Sequence, residues 1–279
     1  MSALTHSDSP APARESFVPA GHGLSFSGLL RSESIKLWSL RSTYWTFSLV
    51  IVFAIGIAIA LAFTLSGYPA NGVAGAPTET GLFVMVATAG LGLGQLIVAV
   101  LGVLSISGEY SSGMIKSTLT AVPRRLAALW AKAVVLFSFT FAVGLVSVLG
   151  GFAVALPIMA RNDLHASLFD SAVLLPLLGN ALFLALLAVF SLGIGTIVRS
   201  SAGGIATALG ILLLLPTLLG LFSLLVGWVS DLMPFLLTSA GAEMITPNTM
   251  ESWQALLVVL GWVAVSLGGA ALLLKRRDA

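Results

Sequence analysis

One stretch of this chain concentrates the residues able to do chemistry: Gly108-Glu-Tyr-Ser-Ser-Gly-Met-Ile-Lys-Ser-Thr-Leu-Thr-Ala-Val-Pro-Arg-Arg-Leu-Ala-Ala-Leu-Trp-Ala-Lys132. Two consecutive serines can cap a short helix at about 112–121, and Pro123 stops it while opening the next helix. Glu109 stands where a long apolar run ends, and a carboxylate at a helix C-terminus opposes the macrodipole by about 0.3–1 kcal/mol unless a cation is near. Arg124, Arg125 and Lys116 are the expected cations. Elsewhere the reactive types are sparse. The chain has no cysteine, which removes disulfides, thiolate catalysis and Cys-ligated metal at once, and it has three histidines. His6 and His22 belong to the N-terminal tail, and His165 reads as a solvated loop residue. No nucleophile, base or metal set converges, so no active site is expected.

Two glycine patterns imitate nucleotide motifs and fail on context. Gly90-Leu-Gly-Leu-Gly94 lies inside an apolar run, where Gly90 and Gly94 make a small-xxx-small face for close helix approach. Gly108 to Gly113 has the outline of a phosphate loop, but Lys116 comes two places late and a membrane helix, not a strand, precedes it. The chain itself is expected to bind no ATP and no cofactor.

The elements that must position these residues are read from composition. Hydrophobic residues make up 58% of the 279 and charged ones 9%, with a mean hydropathy of +1.06, against about 25% charged for soluble domains. Six runs are long enough to cross the hydrocarbon, at about 44–65, 82–107, 133–159, 172–198, 203–227 and 253–274. None alternates with period two, so the fold class is all-α membrane, a six-helix bundle rather than a barrel. Residues 1–23, rich in Ser, Pro and Ala, read as a disordered cytoplasmic tail with nothing cleaved, and residues 24–279 as one transmembrane domain. No stretch outside the spans is long enough for a soluble enzyme domain. The net charge is only +2, so the high pI does not imply nucleic acid as a partner.

Orientation follows from the basic residues. Of the 13 Lys and Arg, Arg14, Arg31, Lys36, Arg41, Lys116, Arg124, Arg125, Lys132, Arg199, Lys275, Arg276 and Arg277 fall on one side, and only Arg161 opposite. Both termini are therefore expected in the cytoplasm, under the plasma membrane, and Arg outnumbering Lys nine to four beside abundant Ala, Gly and Leu hints at a high-GC bacterial genome. The outer loops hold Glu79, Asp163, Asp170, Asp231, Glu243 and Glu251.

The expected spans contain no ionisable side chain, which argues against transport driven by an ion gradient. Gln95 and Asn180 are polar residues within them, beside scattered Ser and Thr. Each reads as a hydrogen-bonding group between helices or as part of a substrate path. Before the first span, residues 24–43 form an amphipathic element. At 100° per residue from Leu29, the apolar Phe26, Leu30, Leu37 and Leu40 fall within about 100°, and Arg31, Ser32, Lys36 and Ser39 outside. Such a helix lies along the inner membrane face, in contact with the lipid bilayer. Glu33 falls inside the apolar arc, where it pairs with Lys36 or bridges to the basic 116–132 segment.

Ser32-Glu-Ser-Ile-Lys-Leu-Trp-Ser-Leu-Arg-Ser-Thr-Tyr-Trp45 before the first span and the 108–125 stretch after the second together resemble the ABC-2 type permeases. They are similar in particular to the small actinobacterial members. Leu236-Leu-Thr-Ser-Ala-Gly-Ala-Glu-Met-Ile245 resembles that family's segment between spans five and six. The resemblance covers about residues 24–279 and is specific only in 108–125. It implies the membrane subunit of an ATP-driven exporter, not itself an enzyme. Such a subunit pairs with a second permease copy, identical or not, and with separate ATP-binding proteins that carry the Mg-ATP. The short helix after span two then docks on the ATPase, and the N-terminal amphipathic helix is the connecting helix. Glu109, Gly113, Leu119, Pro123 and Arg125 match recurring family positions; Met114 replaces the usual Thr, with Ile115 and Arg124 alongside in the same coupling segment. Spans one, two and five would line the substrate path. The alternative from another class is a non-transporting scaffold or regulator that holds a cytoplasmic partner by the same basic loop.

Overall fold

A computed structural model describes residues 25–66, 78–111, 125–246 and 249–276. The tail, and with it the expected coupling helix at 112–121, lies outside the described residues, as do Gly113, Met114, Ile115, Leu119, Pro123, Arg124 and Lys116. The described chain is helical throughout its regular structure: α1 Phe26–Ser39, α2 Arg41–Leu65, α3 Glu79–Ala89, α4 Leu91–Ser111, α5 Arg125–Met159, α6 Ser171–Val198, α7 Ser201–Leu209, α8 Leu215–Ser223, α9 Leu237–Glu243 and α10 Ser252–Arg276, with short tighter or wider turns between them. Six helical stretches among these residues are long and apolar enough to cross a membrane. That is the build of a multi-pass membrane protein.

The six spans stand where the hydropathy puts them, but three differ in their bounds. The second is two helices, α3 and α4, meeting at a turn on Gly90. A Cβ at Gly90 would run into the backbone of Phe53 and Ala54 in α2, so glycine lets the two chains touch there. The third begins at Arg125, earlier than the expected start near 133. Its 35 residues span about 52 Å, more than the roughly 30 Å of hydrocarbon. The fifth runs Ser201–Ser223, ending short of 227, and is interrupted by a π turn over Gly210–Leu214, where the Leu215 N–H reaches back to the Gly210 carbonyl. Pro216 accounts for the widening. It lacks an N–H and its ring clashes with the carbonyl four residues back, and the extra residue in the turn relieves both. A 3-10 segment, Gly227–Phe235, and α9 follow, tied to α10 by the Trp262 indole N–H donating to the Phe235 carbonyl at 3.0 Å.

The core is organised around α6, which packs on α3, α4, α5, α7 and α10. Phe183, Leu184, Leu187, Phe190 and Leu192 are fully buried on it. Its closest crossings are made by small residues. Gly102 of α4 lies against the Ala188 carbonyl, and a Cβ on Gly193 would lie 2.6 Å from the Ser266 hydroxyl of α10. In a lipid solvent, where apolar surfaces gain little by hiding from the surroundings, such backbone contact is what holds helices together.

The two ends of the bundle differ in charge as the sequence count requires. At one end Arg199 stands over the Tyr110 ring at 5.3 Å, near the level of Glu109 and Lys132. At the other, the Glu79 carboxylate accepts the His165 backbone N–H at 3.4 Å, and Asp170 caps α6 by accepting the Ala172 N–H at 2.9 Å. His165 itself is exposed in a loop.

Candidate functional site

Glu33 lies at about 40° in an apolar stripe, and a carboxylate so placed must be paired or protonated. In the structure it is buried, 6% exposed, and paired twice. Its Oε1 accepts from Lys36 Nζ at 2.7 Å, and its Oε2 accepts from Lys132 Nζ at 2.6 Å. Both alternatives read from the sequence are therefore realised, the second through the last residue of the basic segment. Lys132 also donates to Glu109 Oε1 at 2.9 Å, and Lys36 reaches the same oxygen at 3.5 Å. Two carboxylates and two ammonium groups thus close a four-membered ring of charge joining α1, α4 and α5.

Each member reaches the ring for a local reason. α1 starts on Ser25, whose hydroxyl accepts the Gly28 N–H at 3.1 Å, and ends at Leu40, extended with ψ 115, before α2 restarts at Arg41. That one-residue bend swings α1 off the axis of α2. Trp38 then packs edge-on against Phe139 of α5 at 5.4 Å, seven residues and so about two turns along the helix from Lys132. The side chains of Lys116, Arg124 and Arg125, the cations expected to balance the end of α4, lie outside what the structure describes. Among the described side chains Lys132 and Lys36 do so, because α5 begins early enough to carry Lys132 alongside the last turn of α4. The helices as built also include Glu109 and Lys132, which the shorter expected spans left out, both toward helix ends.

The electrostatics of the ring are asymmetric. Burial pushes the Glu33 carboxyl up, but the Lys132 and Lys36 ammonium groups outweigh it and hold it below its ordinary value of 4.5. Burial pulls Lys36 down, and the Glu33 and Glu109 carboxylates more than reverse that, leaving it above 10.5. Removing one charge leaves each of its two partners with a single counter-ion and the buried set with a net charge, which costs up to about 3–5 kcal/mol.

Gln95 is half-buried on α4, and Asn180 is buried on α6 with its Oδ1 unpartnered. Neither lines the cavity beside the charge ring or the larger one between α5, α6 and α10. The sequence marks Lys132 only as the last cation of the basic segment; its pairing with Glu33 and Glu109 follows from where α5 starts. The contact of Arg199 with Tyr110 and the 3.0 Å hydrogen bond between Ser201 and Ser107 had no signal beyond polar residues at helix ends. Arg199 ends α6 in the left-handed region, φ 57. No protein-family model matches the sequence, and no curated protein matches it.

Proposed function

We propose that the chain is the membrane subunit of an ATP-driven exporter of the ABC-2 kind, working as a dimer with a separate ATP-binding protein. The observation that carries this reading is the ring of four charges. It ties α1 to both helices that flank residues 112–124, the segment whose sequence resembles an ATPase-docking helix. A force applied to that segment would pass to α4, α5 and α1 together, since the ring couples all three. α1 suits a connecting helix along the inner membrane face, because Phe26, Ile35, Trp38 and Leu40 are exposed on it while Glu33 and Leu37 face the bundle. The basic end is then cytoplasmic. ATP binding would close the partner subunits and tilt the bundles as rigid bodies from inward to outward access.

The test is purification of the chain from its native membranes in mild detergent, with assay of co-purifying ATPase beside a variant carrying a Gly/Ser linker in place of residues 112–124. An ATPase that accompanies the intact chain and is lost from the variant is the expected result. A folded, dimeric chain that brings down no ATPase would overturn the exporter reading in favour of a scaffold. Glu109→Ala should uncouple ATP hydrolysis from export while leaving insertion intact, and normal export in that variant would remove Glu109 from the mechanism.

A further inference from the structure

A cavity of about 360 Å³ opens beside the charge ring, between α1, the start of α2, the end of α4 and the start of α5. Its size is that of a small-molecule site, roughly 300–1,000 Å³. One end is polar, made by Glu33, Lys36, Glu109 and Lys132, and the walls are apolar, with Leu40, Leu101, Leu104 and Leu136 among them. Leu40 and Leu104 are also exposed on the outside of the bundle. The mouth therefore opens sideways, at the level where the first span starts. Going from Lys36 to Leu101 the lining passes from charge through hydroxyls to hydrocarbon, the same order a bilayer leaflet has from headgroup to chain.

The polar end is equipped to bind and is not saturated by its own contacts. Each ammonium has three N–H groups and spends two on the carboxylates, and Lys36 keeps 32% of its side chain exposed. Thr43 lines the cavity, is 3% exposed, and its hydroxyl has no hydrogen-bond partner. A buried hydroxyl left so costs about 1–3 kcal/mol, which a ligand acceptor would recover once the Thr43 side chain, closed to solvent at its oxygen, turns toward the cavity. The Ser39 and Thr46 hydroxyls donate to their own helix carbonyls at 2.8 Å, leaving oxygen lone pairs free to accept from a ligand donor. The four charges sum to zero, so the site exerts no net pull on an anion and offers both signs at short range.

We propose that this cavity is a site for one zwitterionic glycerophospholipid, its phosphate on Lys36 and Thr43, its amine toward the carboxylates and hydroxyls, and one chain running out past Leu104. The proposal does not depend on the exporter reading and would hold equally for a scaffold. A lipid seated there shares the ring with α1 and so sets how firmly α1 is held.

Native mass spectrometry of the full chain in mild detergent, with added phosphatidylethanolamine, phosphatidylglycerol or inorganic phosphate, tests it. One phosphatidylethanolamine retained per chain, not displaced by equimolar phosphatidylglycerol or by phosphate, is the expected result. Leu104→Trp, which fills the mouth without touching a charge, should abolish that retention. Thr43→Val, of equal shape, should weaken it roughly fivefold, the worth of one hydrogen bond. In lipid-free detergent Leu104→Trp should match the parent in thermal stability and Thr43→Val should match or exceed it, since it removes an unpaired buried hydroxyl, so a loss of lipid is not a loss of fold. Equal retention by the parent and Leu104→Trp, preference for phosphatidylglycerol, or binding of phosphate alone would each overturn the proposal.

Discussion

The bundle is held together in two unlike ways. Around α6, helices meet through glycine, alanine and serine at backbone distance, and 78% of the most apolar stretch of α6 is buried. At the basic end, α1, α4 and α5 meet through four charges at 2.6 to 3.5 Å. Shape contact of the first kind is insensitive to pH and has one fit. The charge ring is directional and responds to protonation. A rigid hub with a releasable clasp on its periphery is what a subunit needs if it is to transmit a motion rather than absorb it.

The largest effect should come from the clasp. Lys132→Met leaves Glu33 and Glu109 buried with only the half-exposed Lys36 to share and should cost up to about 3–5 kcal/mol. The cost should be felt locally, as faster amide exchange in α1 with the α6 exchange unchanged. Exchange that rises equally in α1 and α6 would erase the distinction between the two regions.

In the hub, Gly102→Leu drives a side chain into the Ala188 carbonyl and should destabilise the whole bundle by about 1–3 kcal/mol. Gly210→Leu is the control, because nothing lies within 4 Å of a Cβ there. Thermal denaturation in detergent should separate the two.

Acid sharpens the contrast further. Glu33 is held below 4.5, so its contribution is present above that pH and is lost as the pH falls through its lowered value. Lys36 is held above 10.5, so its contribution is present below that pH and goes only as the pH rises through the raised value. Protection of α1 should therefore be flat between 4.5 and 10.5 and fall off outside, while Gly102-dependent packing shows no such window. A loss of α1 protection near pH 7 would contradict the pairing.

The smallest effect is expected in the fifth span, where only 11% of the most apolar stretch is buried. Leu221→Ala, at a 58% exposed position, should change the stability of the single chain by no more than about 0.5 kcal/mol. If that span faces a second copy, as the proposed function requires of spans near the substrate path, the dimer fraction by crosslinking should fall all the same.

Glu33 shows how far the sequence reaches. Its angle in the apolar arc is enough to demand a buried cation, and Lys36 three residues on is an obvious one. Lys132, ninety-nine positions away, is not, because the pairing depends on α5 starting at Arg125 and lying beside α1. Gly90 is similar. Its place in a small-residue pattern signals close helix contact, which it makes with α2, but not the turn that divides α3 from α4. The π turn before Pro216 is foreshadowed by the proline alone, and how far the helix widens depends on whether its neighbours leave room.

Hydropathy along the chain determined the helical class, the six spans and the split of charge between two ends, because each rests on the transfer free energy of residues taken one at a time or in short runs. The fourth and fifth spans are comparably apolar, yet one became the buried centre and the other the exposed margin. Only the tertiary structure decided that, and with it which ammonium meets which carboxylate. Burial inside a bundle is a relation between distant segments, and neither composition nor period along one helix contains it.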